Sequence, residues 1–180
     1  MRASESLQTA QLIASTLRDV LVDDHTVSMV IKGSSMLPLL VDGDRVWLKH
    51  ITWPDLSIGD ILVFEQGHSM FTHRLVYKTP DQLITKGDNL FYFDALVQPD
   101  DVIGKVVAFE RAGKRYPIES KHRAAKLLIG YGHFWVGAVG NQLLKLARWK
   151  NGKLKRPLFW LGKGVLIPIQ LLERMLLHVG

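Results

Sequence analysis

The first twenty residues set Leu7, Leu12, Ile13, Leu17 and Val20 among Gln, Thr, Ser and Arg, a spacing that predicts an amphipathic helix. After Asp23-Asp24 the period shortens. Runs rich in β-branched and aromatic residues occupy 27–32, 45–49, 61–65, 71–78, 82–86 and 104–111, each predicting a strand. Asp42-Gly43-Asp44, Gly59-Asp60, Thr79-Pro80-Asp81 and Gly87-Asp88-Asn89 supply turn chemistry between them, and Ala112-Gly113-Lys114 folds 115–118 back as a hairpin partner. From Ser120 the pattern turns helical again, with Ala124, Leu127, Leu128, Tyr131, Leu143, Leu144 and Leu146 spaced for one face, and 158–177 repeats the theme. The expected fold is mainly β: an amphipathic N-terminal helix over 1–24, a β-rich body over 25–119 and a basic helical extension over 120–180.

At 180 residues with 47% apolar side chains, the chain supports one domain core with an appendage. It holds no cysteine, so disulfides, thiolate metal sites and a thiol nucleophile are excluded. The net charge of +6 conceals a division. Residues 1–120 carry 12 Lys and Arg against 16 acidic residues, a charge of −4, whereas 121–180 carry 11 against 1, a charge of +10. A basic block of this kind suits an anionic partner. Residues 148–156 put Trp149 among Arg148, Lys150, Lys153, Lys155 and Arg156, the signature of a membrane-surface contact. Trp135, Trp149, Trp160 and many leucines favour lipid over nucleic acid, which is not expected as a partner. The uncharged stretch 127–144 touches the lower limit for crossing a bilayer, but Gly130, Gly132, Gly137, Gly140, His133, Asn141 and Gln142 within it favour an interfacial or buried helix. No continuous apolar run follows the N-terminal charge, so an export signal is not expected either.

Three features carry chemistry. Gly33-Ser34-Ser35-Met36-Leu37-Pro38 follows a predicted strand, and small residues before a serine let backbone amides approach a substrate carbonyl. Gly, Ser and Pro also write an ordinary turn. Phe71, His73 and Leu75 share one strand face, so His73 is either a core histidine or a base able to take a serine's proton. Asp88 and Asp94 lie six residues apart across a turn, and one of them can orient an imidazole; a plain Asx turn and a helix cap are the alternatives.

The ordered blocks Gly-x-Ser-Met-x-Pro, Gly-Asp-Arg-Val, Gly-Asp-Ile-Leu-Val-Phe, Thr-His-Arg-Leu-Val, Thr-Lys-Gly-Asp-Asn and Ile-Gly-Lys-Val-Val, spread over about residues 27–109, resemble the signal peptidase family. The wider clan includes the self-cleaving SOS repressors and shares a compact β-fold. His73, where bacterial type I enzymes place lysine, is similar to the archaeal, endoplasmic-reticulum and sporulation-type signal peptidases. The resemblance implies Ser35 as nucleophile, His73 as general base, Asp94 as the acid that holds the histidine, and Asp88 in a supporting role. It also implies cleavage of an extended leader or signal peptide after small residues, with no metal or organic cofactor.

The chain departs from the family in three places. Gly33 stands where the family carries a serine, which removes a side-chain oxyanion donor; the Ser35 amide and the Ser34 hydroxyl are the expected substitutes. Met36 belongs with Gly33 and Ser34 in the expected oxyanion and substrate-binding region, and Leu37, Trp53 and Phe64 line an apolar groove or belong to the core. Leu90 replaces the asparagine that follows Gly-Asp-Asn, and an amphipathic helix stands in place of the usual anchor, so peripheral or interfacial membrane attachment is expected through 121–180. The alternatives are a non-catalytic module of the same fold and a self-cleaving regulator, the latter less expected because it needs a DNA-binding helix-turn-helix and a cleavable linker and about 25 residues precede the β-body.

Overall fold

The computed structural model describes residues 2–21, 25–67, 69–118, 123–149, 167–169 and 171. Its elements run α1 (Arg2–Leu21), β1 (Val27–Val30), β2 (Arg45–Lys49), β3 (Ile61–Gln66), β4 (Ser69–Lys78), β5 (Leu83–Lys86), a 3-10 turn (Pro99–Asp101), β6 (Val102–Arg111), β7 (Lys114–Pro117) and α2 (Arg123–Trp149). The protein is therefore mainly β, with a helix at each end of the strand region. β2 coincides with its expected run, and the other strands shift by one or two residues at an end, β7 by one at both.

All strands join one antiparallel sheet in the order β1-β2-β6-β3-β4-β5, with β7 also on β6. The long β6 links two halves: it pairs with β3 through Val102–Lys105 and with β2 through Lys105–Glu110. β3 is buried on both faces, and its period of two divides the core. Ile61 and Val63 join Val46, Leu48, Ile103 and Val106 under Ala14, Leu17 and Leu21 of α1. Leu62 and Phe64 join Leu56, Leu75, Leu83 and Val97 on the other face. Full burial of side chains this size contributes about 1.5–3 kcal/mol each.

α2 packs on β4 and β5 through a face that hydrophobic spacing does not reveal. Of the residues expected to share one face, Ala124, Leu128, Tyr131 and Leu144 are exposed and Leu127 and Leu143 half-buried, while Ile129, Gly130, His133, Val136, Gly137 and Gly140 are buried. The reason is close approach. A Cβ on Gly140 would stand 1.7 Å from the Phe91 carbonyl oxygen, one on Gly137 would stand 2.2 Å from the Phe93 ring, and one on Gly130 would stand 2.5 Å from Ile58 Cγ2. Lys126 Nζ, at 2.5 Å from Asp60, ties down the first turns, and Lys105 reaches the same carboxylate at 3.0 Å.

No described helix is long and apolar enough to cross a membrane. Most of the basic segment 148–156 and of the helix expected at 158–177 lies outside the described residues. Residues 167–169 and 171 are helical, and Ile169 lies beside Gly132 of α2.

Candidate active site

β1 ends at Val30, and the chain turns through 33–40 before returning as β2. Two backbone bonds close the base of this excursion, Ile31 to Asp44 at 2.8 Å and Gly43 to Ile31 at 3.0 Å. Gly33 has φ +92°, a conformation glycine adopts without steric cost, and its amide donates to Asp42 Oδ1 at 2.7 Å. Asn89 pins the turn from the opposite side: its amide donates to the Ser35 carbonyl at 2.8 Å and its side chain to the Ser34 carbonyl at 3.1 Å. Gly87 makes that approach possible, since a Cβ there would stand 2.8 Å from the Ser35 carbonyl oxygen. The Ser35 hydroxyl thus projects from a turn held at both ends.

His73 comes from β4, opposite Leu62 of β3, and is 3% exposed beside the stacked rings of Phe64 and Phe71. Its Nε2 lies 2.9 Å from Ser35 Oγ and its Nδ1 lies 2.8 Å from Asp94 Oδ2. Asp94 belongs to the loop after β5, where its amide donates to the Thr85 carbonyl at 3.0 Å and its Oδ2 accepts the Thr85 hydroxyl at 2.7 Å. With Nδ1–H donating to the carboxylate, Nε2 keeps its lone pair for the serine proton. The three groups form one chain of hydrogen bonds from a half-buried hydroxyl to an acid, the order of parts that general-base activation of a serine requires. No protein-family model matches the chain, and no curated protein matches it.

The other expected site residues divide. Asp88 does not meet His73. It is fully buried against Arg74, accepting from Nε at 2.8 Å and Nη2 at 2.6 Å, while Arg74 Nη1 donates to the Gly59 carbonyl at 3.0 Å. Burial works to raise the Asp88 carboxyl, but the charges of Arg74, His133 and Lys86 and the Arg74 hydrogen bonds outweigh it and hold it at about 2. Ser34 is exposed beside the nucleophile. Among the described residues the Ser35 amide has no hydrogen-bond partner, which leaves it available to an oxyanion.

Met36 is 2% exposed and Phe64 is fully buried, so both are core residues and neither side chain forms an open groove wall. Trp53 donates to the Pro80 carbonyl at 2.7 Å and lines a cavity of about 640 Å³ with Leu56, Lys78 and Leu127, apart from the Ser35–His73 constellation. Leu37 is half-buried in the nucleophile turn.

Sequence reasoning missed Thr85, Asn89 and a second histidine. His133 of α2 is fully buried, with Nδ1 3.1 Å from Lys86 Nζ and Nε2 3.5 Å from Asp88 Oδ1, too far for a strong hydrogen bond. Burial pushes its imidazole down to about 3 against the attraction of Asp88, with the Arg74 and Lys86 charges acting in the same sense as burial. His133 is therefore neutral near pH 7, and Lys86, which also donates to the Gly87 carbonyl at 2.9 Å, has an imidazole nitrogen as acceptor. The Gly-Asp-Asn turn marked this part of the chain, but nothing local to it pointed to a partner 45 residues away.

Proposed function

We propose that the protein is a serine endopeptidase of the signal-peptidase type, which removes a leader or signal peptide through an acyl-enzyme intermediate. One observation carries the reading: Ser35 Oγ, His73 Nε2, His73 Nδ1 and Asp94 Oδ2 are joined by contacts of 2.9 and 2.8 Å, although 38 and 21 residues separate the partners. In this mechanism the Ser35 hydroxyl passes its proton to Nε2 as Oγ bonds the scissile carbonyl carbon. The resulting oxyanion faces the Ser35 amide, the donor that remains where Gly33 offers no side chain. The imidazolium gives its proton to the departing amine as the C–N bond breaks; His73 then takes a proton from the water that attacks the acyl carbon and returns it to Ser35 Oγ as the ester bond breaks. Asp94 holds the ring and balances its transient charge.

An extended substrate suits the surroundings. β1 is an edge strand leading into the Ser35 turn, so a peptide can add along it by main-chain hydrogen bonds, with Val30 and Phe71, 44% and 37% exposed, offering apolar contact. A mixture of extended peptides, read by mass spectrometry, tests the reading. Cleavage after small residues that vanishes in Ser35→Ala supports it, and identical products from both proteins overturn it.

The same reading includes peripheral attachment to an anionic membrane through 121–180. The outer face of α2 exposes Leu128, Tyr131, Trp135 and Val139, from 47% to 67%, and the sequence that follows is strongly basic. The protein should float with vesicles rich in anionic lipid at low salt. Remaining at the bottom of the gradient counts against attachment and leaves the peptidase reading standing.

A further inference from the structure

We propose that Thr85 is a positioning residue of the catalytic site, the fourth member of a chain running Ser35, His73, Asp94, Thr85. The inference rests on the peptidase reading and adds to it the residue that fixes the acid. Asp94 sits in irregular chain between β5 and β6, where no regular ladder holds its side chain. Two bonds from a single residue replace the ladder: the Asp94 amide donates to the Thr85 carbonyl at 3.0 Å, and the Thr85 hydroxyl donates to Asp94 Oδ2 at 2.7 Å. One bond places the backbone and the other sets the rotation of the carboxylate.

Thr85 is suited to this by burial and by shape. It is 0% exposed on β5, in register with Leu75 of β4, two residues beyond His73. Its Cβ branching restricts χ1, so the hydroxyl is held in one direction. The Thr85 side chain is shielded from solvent, and its acceptor is a carboxylate, which makes the bond stronger than one between neutral groups.

The geometry also selects protons. Oδ2 of Asp94 receives both Thr85 Oγ1 and His73 Nδ1, at 2.7 and 2.8 Å. With the Thr85 hydroxyl donating to it, Oδ2 is suited to accept from Nδ1–H as well, which favours the tautomer whose lone pair is on Nε2, facing Ser35. Thr85 therefore acts on the serine through two intervening groups without touching the substrate.

The loop is closed on its other sides as well. Leu83 and Val97 exchange two backbone bonds of 3.0 Å, which joins the loop's exit to the start of β5. Phe91 and Phe93 press on Gly140 and Gly137 of α2, and the Phe93 ring also lies tilted against that of Phe134, with centroids 5.5 Å apart. These contacts hold the backbone of the loop; the Thr85 hydroxyl, beside His73, is the contact that reaches the carboxylate itself.

The test compares Thr85→Val, which keeps the shape and loses the hydroxyl, with Thr85→Ser, which keeps the hydroxyl. The full chain is titrated with a fluorophosphonate, and the maximal inactivation rate is separated from the concentration at half-maximal rate. Thr85→Val should slow the maximal rate about 10–100-fold, the worth of one hydrogen bond to a charged group, with half-saturation changed less than about twofold. Thr85→Ser should recover most of the rate. In proton NMR the far-downfield His73 Nδ1–H resonance should move or broaden in Thr85→Val and return in Thr85→Ser. If Thr85→Val does not fold, the pair Thr85→Ala and Thr85→Ser repeats the comparison, since these two differ by the hydroxyl alone. Ser35-dependent labelling at the wild-type rate without the Thr85 hydroxyl overturns the positioning role alone. No labelling of the wild-type protein overturns the peptidase reading, and the positioning role falls with it.

Discussion

Two histidines of this protein each face a carboxylate, yet their surroundings assign them different tasks. His73 meets Asp94 at 2.8 Å on one nitrogen and a hydroxyl at 2.9 Å on the other, and that hydroxyl lies on a half-buried turn. His133 is sealed under α2, with Lys86 at 3.1 Å on one nitrogen and Asp88 at 3.5 Å from the other. The first arrangement leaves a lone pair facing a hydroxyl that can give up its proton. The second holds a neutral ring between fixed charges, with nothing transferable in reach. What separates chemistry from structure here is the partner on the second nitrogen and its access to solvent, since both histidines are buried and both have an acid nearby.

Exchanging the acids should break the comparison most sharply. Asp94→Asn should lower fluorophosphonate reactivity by about 10⁴-fold, because the amide favours the wrong tautomer of His73, with little change in the denaturation midpoint. Asp88→Ala should do the reverse. It leaves the Arg74 guanidinium without its acid partner in the interior and should cost about 3–5 kcal/mol of stability, measured by chemical denaturation, while folded molecules keep a reactive Ser35.

Acid should sharpen the comparison through His133. Its folded-state value of about 3 lies below the ordinary 6.5, so between these limits the unfolded chain takes a proton that the folded chain refuses. Stability is therefore full above pH 6.5 and falls on acidification, by up to ~1.4 kcal/mol per pH unit from this group. Asp88, lowered from 3.8 to about 2, adds a second loss as pH falls from 3.8 toward 2. Denaturation midpoints of wild type and His133→Leu at pH 7, 5.5 and 4 should converge as the pH drops, because leucine has no proton to refuse.

A smaller effect distinguishes the glycines of α2. Alanine favours an exposed helix position by about 1 kcal/mol over glycine, but at Gly140 its Cβ meets the Phe91 carbonyl at 1.7 Å, and Gly140→Ala should lose about 1–3 kcal/mol instead. Gly132→Ala, which meets only the end of the Ile169 side chain at 3.1 Å, should be close to neutral. Thermal unfolding of the two variants gives the sign.

The strands were legible because their alternation is driven by burial: 45–49 reads as β2 from sequence alone, and Ile61, Leu62, Val63 and Phe64 are apolar because both faces of β3 are covered. Ser35, His73 and Asp94 were legible through ordered blocks of residues, and the fold brings all three together. The buried face of α2 was not, since close packing on the loop at 91–93 takes glycines, which carry no hydrophobic signal. Thr85 looked like any strand threonine, because its role depends on a loop that leaves β5 and returns to it. Lys86 and His133 lie 47 residues apart on different elements, and nothing in either neighbourhood marks them as partners.

The most direct test of the account is to locate a fluorophosphonate adduct by peptide mapping in wild type, Ser35→Ala and His73→Ala. The account predicts a single adduct on Ser35 in the wild type, none in Ser35→Ala, and a rate in His73→Ala lower by several orders of magnitude. An adduct on another residue, or a Ser35 adduct formed as fast without the imidazole, would contradict it.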